Sequence, residues 1–492
     1  MGSAPTSLAL VLLAAAGGAL YSLAFPPHDL PGAAALMLIP LFVAAARLAP
    51  SRAAVAGLAW SVVATLCVGS WLPETIARFF EIPAALGWLA LAGIALATVG
   101  VPSAALCAWI SWSVRAGAAG PLALGAAFGL AEVARANGWP PLPWAILGTG
   151  ALPESFVQAA DAVGAHGLSI LVAASNAALA AVFVPQLRTR RAALEAVAVA
   201  GLCAAAFAHG REQLARDFGD GAPLSVAVVQ PGLAPGHAGR ARAERAVLHE
   251  RALELTRAVQ GRGHDLVVWP EHATQAYLRE RTPESETVRA LSRELDGDLL
   301  LGGPHWRFAE PEPRYFTSAF LLHAGEIQGR HDKTRLVPVA EARYQPGGRP
   351  HALSGSRARV GAFVCAELAF PSVARELARD GAEILANPSN DAWLAPVAAE
   401  HLLRVARLRA IENRRPLLRA TPTGVSAVID AHGAVVARSR FGAAQVLEAS
   451  VRGSRATTLV QRFGDWPVGL ALVVVTGSTL HALLVRRRRT HA

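Results

Sequence analysis

The sequence has few charged residues for its length. Asp, Glu, Lys and Arg make up 17% of its 492 residues, whereas about 25% is usual in a soluble domain. The deficit is uneven, because residues 1–209 hold nearly all of the long apolar runs and residues 210–465 look like an ordinary globular sequence. This distribution argues against a single soluble domain and predicts a membrane part joined to a soluble part.

Cysteine is also scarce, and its spacing argues against two kinds of site. The four cysteines are Cys67, Cys107, Cys203 and Cys365, and no CxxC or CxH spacing relates them. Neither a metal site nor a disulfide framework is therefore predicted. Three of the cysteines lie in apolar runs, where cysteine usually behaves as a small buried hydrophobe. Cys365, alone in the soluble part, is either a core residue or a nucleophile.

The net charge of +10 does not indicate a nucleic-acid partner. Much of the excess is arginine beside apolar segments and in the terminal run 486–489, and no basic stripe with interleaved aromatic residues is present. We therefore expect no nucleic-acid binding.

Eight apolar segments approach the length of a membrane-spanning helix, about 20 residues. Their approximate bounds are 6–24, 31–49, 53–72, 83–112, 117–136, 161–184, 192–209 and 466–485. Arginines in the loops and the tail concentrate on one side of these segments, which the positive-inside rule places in the cytoplasm. Both termini are then cytoplasmic, and residues 210–465 lie outside the cytoplasm, in the periplasm of a double-membrane bacterium.

One loop between the apolar segments, residues 131–145, is unusually polar. It places Glu132 and Arg135 beside Trp139 and Trp144. Ionisable residues at membrane depth are costly and often functional. An interfacial loop with its tryptophans in the aromatic belt fits the same pattern, so both interpretations stay open.

The soluble region alternates between strand and helix patterns. Strands are predicted at 223–232, 265–272, 298–304, 358–365 and 383–389, with hairpins turning at Ala324-Gly325 and at 430–433. Helices are predicted at 238–260, 284–295, 371–380 and 396–413. Such an alternation, mixed with hairpins, predicts a layered α/β domain with a mixed sheet.

Three strand ends carry residues with useful chemistry. Glu271 follows the strand LVVW, Lys333 follows a hairpin strand, and Cys365 ends the strand AFVC. A carboxylate can take the proton of a thiol and later return it to a leaving group, and an ammonium can stabilise an oxyanion. The three residues could thus perform acyl transfer, although a structural cysteine beside a solvated Glu and Lys fits the spacing too.

The motifs around these residues resemble a known family. The order WPE, DKxxLVP, VCxE and NPSNDAW resembles the nitrilase superfamily, and its combination with apolar segments resembles apolipoprotein N-acyltransferases. The resemblance implies a multi-span α-helical membrane domain at 1–209, with about seven transmembrane helices. It also implies an α/β nitrilase-like domain with an α-β-β-α sandwich at 210–465, and a helix with a basic tail at 466–492.

The resemblance also implies roles for individual residues. Glu271 is the general base, Lys333 the oxyanion stabiliser and Cys365 the nucleophile. Five further positions match family residues near the site: Glu341, Glu367, Asn390, Asp391 and Trp393. From the residues alone, Glu341 and Glu367 could equally be salt-bridged scaffolding, and Asn390 and Asp391 could cap a turn or a helix. The arginines between 404 and 415 form either a phosphate-binding run or a solvated helix face.

The reaction implied by the resemblance moves an acyl chain from a phospholipid, expected to be phosphatidylethanolamine, to the α-amine of a diacylated apolipoprotein. It passes through a thioester and needs no metal or organic cofactor. A monomer in the bacterial inner membrane is expected. Ala366 departs from the family, which has an aromatic residue there, and the segment 334–358 is short. A membrane-anchored amidase, a variant acyltransferase with another acceptor and a non-enzymatic scaffold remain alternatives.

Overall fold

The computed structural model describes residues 6–138, 141–233 and 242–490. The chain divides into two units. The apolar unit contains residues up to Ala215 and from Asp465 onward, and the two-sheet unit runs from Arg216 to Gly464. Trp139 and the first residues of the predicted helix 238–260, residues 238–241, lie outside the described residues.

The described part of the apolar unit is helical. Its α-helices are α1 (Ser7–Ser22), α2 (Ile39–Arg47), α3 (Pro50–Val68), α4 (Leu72–Phe80), α5 (Ala84–Gly93), α6 (Val101–Arg115), α7 (Pro121–Asn137), α8 (Glu154–Val157), α9 (Ala160–Ala180), α10 (Arg190–Leu214) and, at the end of the chain, α16 (Trp466–Thr490). A π-helical turn, Ile94–Gly100, joins α5 to α6, so that Ala84–Arg115 is one continuous helix of 32 residues.

Among the residues that the structure describes, five helical segments of this unit are long and apolar enough to cross a membrane. They are Pro50–Val68, Ala84–Arg115, Ala160–Ala180, Arg190–Leu214 and Trp466–Arg488. Helices also occupy the other three predicted positions, but they are shorter: Ser7–Ser22, Pro31–Arg47 and Pro121–Asn137. In Pro31–Arg47 a 3-10 turn and α2 replace one regular helix, with prolines at positions 31 and 40.

Small residues allow the helices of the apolar unit to approach closely. A Cβ at Gly18 of α1 would lie 2.5 Å from the carbonyl oxygen of Trp60 in α3. A Cβ at Gly125 of α7 would lie 2.6 Å from the Cβ of Ala174 in α9. Such contacts are the usual basis of helix packing where the surroundings are apolar.

In its described residues, 216–233 and 242–464, the two-sheet unit contains two six-stranded mixed sheets. Its strands are β1 (Pro223–Gln230), β2 (Leu266–Val268), β3 (Asp298–Arg307), β4 (Arg314–His323), β5 (Glu326–Asp332), β6 (Leu353–Ser354), β7 (Arg359–Ala362), β8 (Ile384–Pro388), β9 (Leu417–Ala420), β10 (Ala427–Ile429), β11 (Val435–Arg438) and β12 (Gln445–Arg452). The strand order is β12-β1-β2-β3-β4-β5 in one sheet and β11-β10-β9-β8-β7-β6 in the other. The central strands β1-β2-β3 and β7-β8-β9 are parallel.

Side-chain alternation along the strands builds the layers. Val226 and Val228 of β1 lie in a core shared by both sheets, whereas Ala227 and Val229 pack in a second core with residues of two helices, α11 (Arg242–Ala258) and α12 (Pro283–Glu294). The helices of this unit are α11 (Arg242–Ala258), α12 (Pro283–Glu294), α13 (Pro371–Arg379), α14 (Pro396–Asn413) and α15 (Leu459–Phe463). Since α13 and α14 contact strands of the other sheet, the unit is an α-β-β-α sandwich, as predicted.

One predicted strand ends earlier than expected. The strand 358–365 is observed only as Arg359–Ala362, and Cys365 begins a 3-10 turn, Cys365–Ala369. The backbone of Cys365 has φ 49°, a left-handed value that cannot continue a strand. The hairpin turn at Ala324-Gly325 is confirmed, with φ values of 48° and 81°.

Candidate active site

The candidate site lies where strands of the two-sheet unit end. Glu271 comes three residues after β2, Lys333 directly after β5, and Cys365 three residues after β7. Loops after parallel strands are the usual place for active sites in α/β proteins. The three residues predicted from strand ends are therefore brought to one region of the sandwich.

Lys333 is the centre of the ionic contacts. Its Nζ lies 3.1 Å from Oε1 of Glu271 and 2.8 Å from Oε1 of Glu341, and its side chain is 1% exposed. Burial alone would lower the pKa of Lys333, but the carboxylates of Glu271 and Glu341, and Cys365 once it ionises, outweigh burial and raise the pKa well above its usual value. Lys333 is therefore a fixed cation.

Backbone contacts hold Glu271 and Glu341 in place. The N–H of Glu271 donates to the carbonyl oxygen of Ser389 at 3.2 Å. A Cβ at Gly302 in β3 would lie 2.5 Å from the Cα of Glu271, so this close approach requires glycine. Oε2 of Glu341 accepts from the N–H of Val337 at 2.6 Å, which leaves Oε1 for Lys333.

The thiol of Cys365 is half-buried on a strained turn. The φ of 49° belongs to a region that non-glycine residues rarely adopt, and such values cluster at functional sites. Burial, followed by the charge of Glu271, raises the pKa of the thiol to about 12, against the opposing effects of Lys333 and of a hydrogen bond from the backbone of Asn390. The resting group is a neutral thiol, and it needs a base to become a nucleophile.

Glu367 braces the cysteine turn against the strand that precedes Lys333. Its Oε2 accepts from the N–H of Val364 at 2.6 Å and contacts Nε2 of His331 at 2.9 Å. Its Oε1 accepts from the N–H and the hydroxyl of Thr334, at 2.7 and 2.6 Å. Both oxygens of Glu367 are thus occupied by structural partners, which favours the scaffolding interpretation.

The segment Asn390–Trp393 follows β8 and borders the cysteine turn. Oδ1 of Asn390 accepts from the N–H of Ala392 at 3.2 Å, so this residue caps its own turn. Asp391 is fully buried and pairs with Arg419. Trp393 lies half-buried in the turn before α14. Of the two alternatives, the turn is observed and the helix cap is not, because the N-cap of α14 is Ala395, which makes no side-chain cap bond.

Both predictions for the arginines between 404 and 415 are wrong for three of these residues, which are buried. Arg409, Arg414 and Arg415 are at most 3% exposed, so neither a phosphate site nor a solvated face describes them. Arg409 pairs with Glu412 at 3.2 Å, and Arg415 donates to the carbonyl oxygens of Ala382 and Ala456. These side chains stabilise the region around the end of α14.

Glu132 and Arg135, predicted in a polar loop, instead lie in the last turns of α7 and are buried in the apolar unit. Oε1 of Glu132 accepts from the N–H of Leu147 at 2.8 Å and from the hydroxyl of Tyr21 at 3.2 Å. Arg135 donates to the carbonyl oxygens of Trp144 and Ala145. The pair ties α7 to α1 and to the segment that follows α7, which favours a structural role over both the functional and the interfacial interpretation.

Sequence reasoning did not identify Asn387, Arg419 and His331, which are fully buried polar residues in contact with the site. Their signal was weak, because each lies inside a strand pattern. A stronger signal was available for Lys333, which is the only lysine in a sequence with 46 basic residues. Lysine and arginine are not interchangeable, so a single lysine among arginines indicates a position that requires an ammonium group.

Two parts of the chain match family models. Residues 225–459 match the carbon-nitrogen hydrolase family, and residues 17–178 match the apolipoprotein N-acyltransferase N-terminal domain. Among solved structures, a nitrilase-superfamily protein from Saccharomyces cerevisiae covers 48% of this chain and 93% of its own at 20% identity and a TM-score of 0.39.

Several curated relatives are similar over most of their length. The apolipoprotein N-acyltransferase of Geobacter metallireducens is 29% identical over 510 residues, covering 97% of this chain and 96% of that protein. The protein of the same name from Rhizobium rhizogenes is 31% identical over 407 residues, covering 73% and 74%. That of Caulobacter vibrioides is 31% identical over 394 residues, covering 72% of each.

The two-sheet unit is a nitrilase-like carbon-nitrogen hydrolase domain, and it is joined in one chain to an apolar helical unit. This combination defines a membrane acyltransferase of the nitrilase superfamily. The chain belongs to the apolipoprotein N-acyltransferase family.

Proposed function

We propose that the protein transfers an acyl chain from a membrane phospholipid to the N-terminal α-amine of diacylglyceryl-cysteine lipoproteins. One observation carries this proposal. A buried lysine is held between two carboxylates, Glu271 and Glu341, beside a strained turn that presents a thiol. The names of the curated relatives supply the class of acceptor, and the geometry supplies the chemistry.

The first half-reaction loads the enzyme. Glu271 removes the proton of the Cys365 thiol as the sulfur attacks the ester carbon of the phospholipid. The carbonyl oxygen becomes an oxyanion, which the Lys333 ammonium stabilises. The tetrahedral intermediate then breaks its C–O bond, Glu271 returns the proton to the departing alkoxide, and a lysophospholipid leaves. The acyl chain remains on Cys365 as a thioester.

The second half-reaction consumes the thioester. The neutral α-amine of the acceptor attacks the carbonyl carbon, and Glu271 takes a proton from the attacking nitrogen. Collapse of the intermediate breaks the C–S bond, forms an amide and returns a proton to the sulfur. Since both substrates use one site in turn, ping-pong kinetics are expected.

The raised pKa of the thiol supports base-assisted attack over a preformed thiolate. At neutral pH a thiol with a pKa of about 12 is almost entirely protonated. A fixed carboxylate near the sulfur can remove that proton during attack, whereas a free thiolate would need surroundings that lower the pKa.

The proposed function also implies a location for the protein in the cell. Both substrates are lipid-anchored, so an enzyme of the bacterial inner membrane with a periplasmic catalytic domain can meet them by lateral diffusion. Helices at the eight predicted positions, five of them long and apolar enough to cross a membrane, and the asymmetry of the loop arginines support this arrangement, with both termini in the cytoplasm. Phosphatidylethanolamine is the donor that we propose.

A mass measurement tests the proposed function. Detergent-purified protein is incubated with phosphatidylethanolamine and a synthetic diacylated lipopeptide, and the peptide is then weighed. We expect the gain of one acyl group on the α-amine, and no gain with Cys365→Ala. A lipopeptide with an acetylated N-terminus is the matched control, and it should gain nothing.

Hydrolysis is the outcome that would overturn acyl transfer. The carbon-nitrogen hydrolase domain could in principle pass the acyl group to water. Release of free fatty acid without any gain of peptide mass would support a membrane-anchored hydrolase. Acylation of a different amine in preference to the lipopeptide would instead support a variant acyltransferase.

A further inference from the structure

Arg419 is a buried cation in the middle of a sheet. It lies in β9, its side chain is 0% exposed, and Asn387 of β8 is its partner in the strand register. Burying a charge costs several kcal/mol unless it is paired and hydrogen-bonded. A guanidinium at this position therefore needs a structural or functional reason, and its contacts supply one.

The guanidinium bridges two segments that flank the thiol. Its Nη1 donates to Oδ1 of Asn387 at 2.5 Å, and its Nη2 donates to Oδ2 of Asp391 at 2.5 Å. Because Asn387 uses its oxygen on Arg419, its amide nitrogen is oriented toward the cysteine turn. There it donates to the carbonyl oxygens of Phe363 at 2.9 Å and Cys365 at 3.5 Å.

The contact with Asp391 also connects Arg419 to Glu271. Oδ1 of Asp391 accepts from the hydroxyl of Ser389 at 2.9 Å, and the carbonyl oxygen of Ser389 accepts from the N–H of Glu271. Asn390 lies between Ser389 and Asp391 in the chain, and its backbone N–H lowers the pKa of the Cys365 thiol. Fixing Asp391 therefore fixes the donor that stabilises a developing thiolate.

We propose that Arg419 is a positioning residue for the thiol step. Its two hydrogen bonds hold Asn387 and Asp391 together. They thereby align the Cys365 turn with the N–H of Asn390. This inference rests on the proposed role of Cys365 as the nucleophile. A lysine could not replace Arg419, because a single ammonium cannot make both bonds in the planar geometry of a guanidinium.

The test compares Arg419→Lys with Arg415→Lys. Arg415 is a matched control, since it is a buried arginine of the same unit whose contacts include the carbonyl oxygens of Ala382, Asn413 and Ala456. The readout is the rate of iodoacetamide alkylation of Cys365, followed by peptide mass spectrometry from pH 7 to pH 9.5. Acyl transfer to the diacylated lipopeptide is measured in parallel.

We expect Arg419→Lys to slow alkylation about tenfold at each pH, as a rise of about one unit in the pKa of the thiol would. The kcat for acyl transfer should fall by a similar factor, and the KM for the lipopeptide should stay within about twofold. Arg415→Lys should match the wild type in alkylation. Equal alkylation rates in the two variants would overturn the proposal.

A second variant covers the case in which Arg419→Lys does not fold. A Cβ at Gly424 would lie 2.4 Å from Oδ2 of Asp391, so Gly424→Ala pushes this carboxylate away from Arg419 without removing a charge. Slower alkylation is expected again, and an unchanged rate would overturn the proposal. Failure of the wild type to acylate the lipopeptide would count against the proposed function alone, because alkylation does not depend on it.

Discussion

Each unit of the protein buries a cluster of ionisable side chains, and the two clusters are held in different ways. In the two-sheet unit, Lys333 binds the carboxylates of Glu271 and Glu341 through its side chain. In the apolar unit, Glu132 and Arg135 lie 3.5 Å apart and bind mainly backbone groups, together with the hydroxyl of Tyr21.

This difference distinguishes the candidate active site from a cluster that only supports the fold. We call the second cluster, Glu132 and Arg135, the brace. Charged groups that bind each other beside a thiol can exchange protons and stabilise a developing charge. Charged groups that bind carbonyl oxygens and N–H groups satisfy the backbone of a loop. Burial of ionisable residues is common to both clusters, so burial alone does not indicate catalysis.

Loss of the central cation should have the largest effect. Lys333→Met removes the proposed oxyanion stabiliser and leaves Glu271 and Glu341 without their shared cation. We expect kcat for acyl transfer to fall by about 10² to 10³ or more, and the thermal midpoint to fall too. Arg335→Met, an exposed cation two residues away, is the control and should keep full activity. A Lys333→Met enzyme within tenfold of the wild type would contradict the assignment.

Loss of one of the two carboxylates should have a smaller effect. Glu341→Gln keeps the shape of the side chain but removes one charge from Lys333, while Glu271 still binds the ammonium. We expect kcat to fall about 10- to 100-fold with little change in KM, because the lysine is less firmly placed. Steady-state kinetics test this expectation. The control is Glu376→Gln, which changes a partly exposed carboxylate on α13. An unchanged kcat would place Glu341 outside the site.

The alkylation rate of Cys365 should follow the protonation state of its thiol. Since burial and Glu271 raise its pKa to about 12, the thiolate fraction should rise about tenfold per pH unit below that value. We expect the rate of alkylation of Cys365 in the resting enzyme to increase steadily from pH 7 to pH 10. A plateau near neutral pH would show a preformed thiolate and contradict base-assisted attack.

The brace in the apolar unit should affect stability and spare catalysis. Glu132→Gln keeps an acceptor for Leu147 and Tyr21 but loses the charge opposite Arg135. We expect a lower thermal midpoint, since a hydrogen bond to a charged group contributes about 1.5 to 3 kcal/mol. The kcat should stay within about twofold. A large loss of kcat at an unchanged midpoint would show that this cluster takes part in the reaction.

Much of the fold follows from the sequence because local patterns agree with the layers. The helix predicted at 396–413 is observed as Pro396–Asn413, and the alternation in β1 places its valines in the shared core. The extent of the strand before Cys365 was wrong, because periodicity cannot reveal a residue at φ 49°. Likewise, Pro31–Arg47 is apolar throughout, but its prolines break the regular helix.

The candidate site was predictable in its residue types and less so in its geometry. Motif resemblance pointed to Glu271, Lys333 and Cys365, and the structure brings Glu341 onto Lys333 as well. The sequence is compatible with two roles for Glu367, and its four contacts favour scaffolding. Arg419 could not be found from the sequence, because a strand arginine is usually exposed.

The central claim is that the acyl chain passes through Cys365. The direct measurement is the intact mass of the enzyme after incubation with phosphatidylethanolamine and no acceptor. We predict an added acyl mass that maps to Cys365, is removed by hydroxylamine and disappears when diacylated lipopeptide is supplied. Acylation of the lipopeptide by an enzyme that never carries this adduct, or an adduct that persists in Cys365→Ala, would contradict the account.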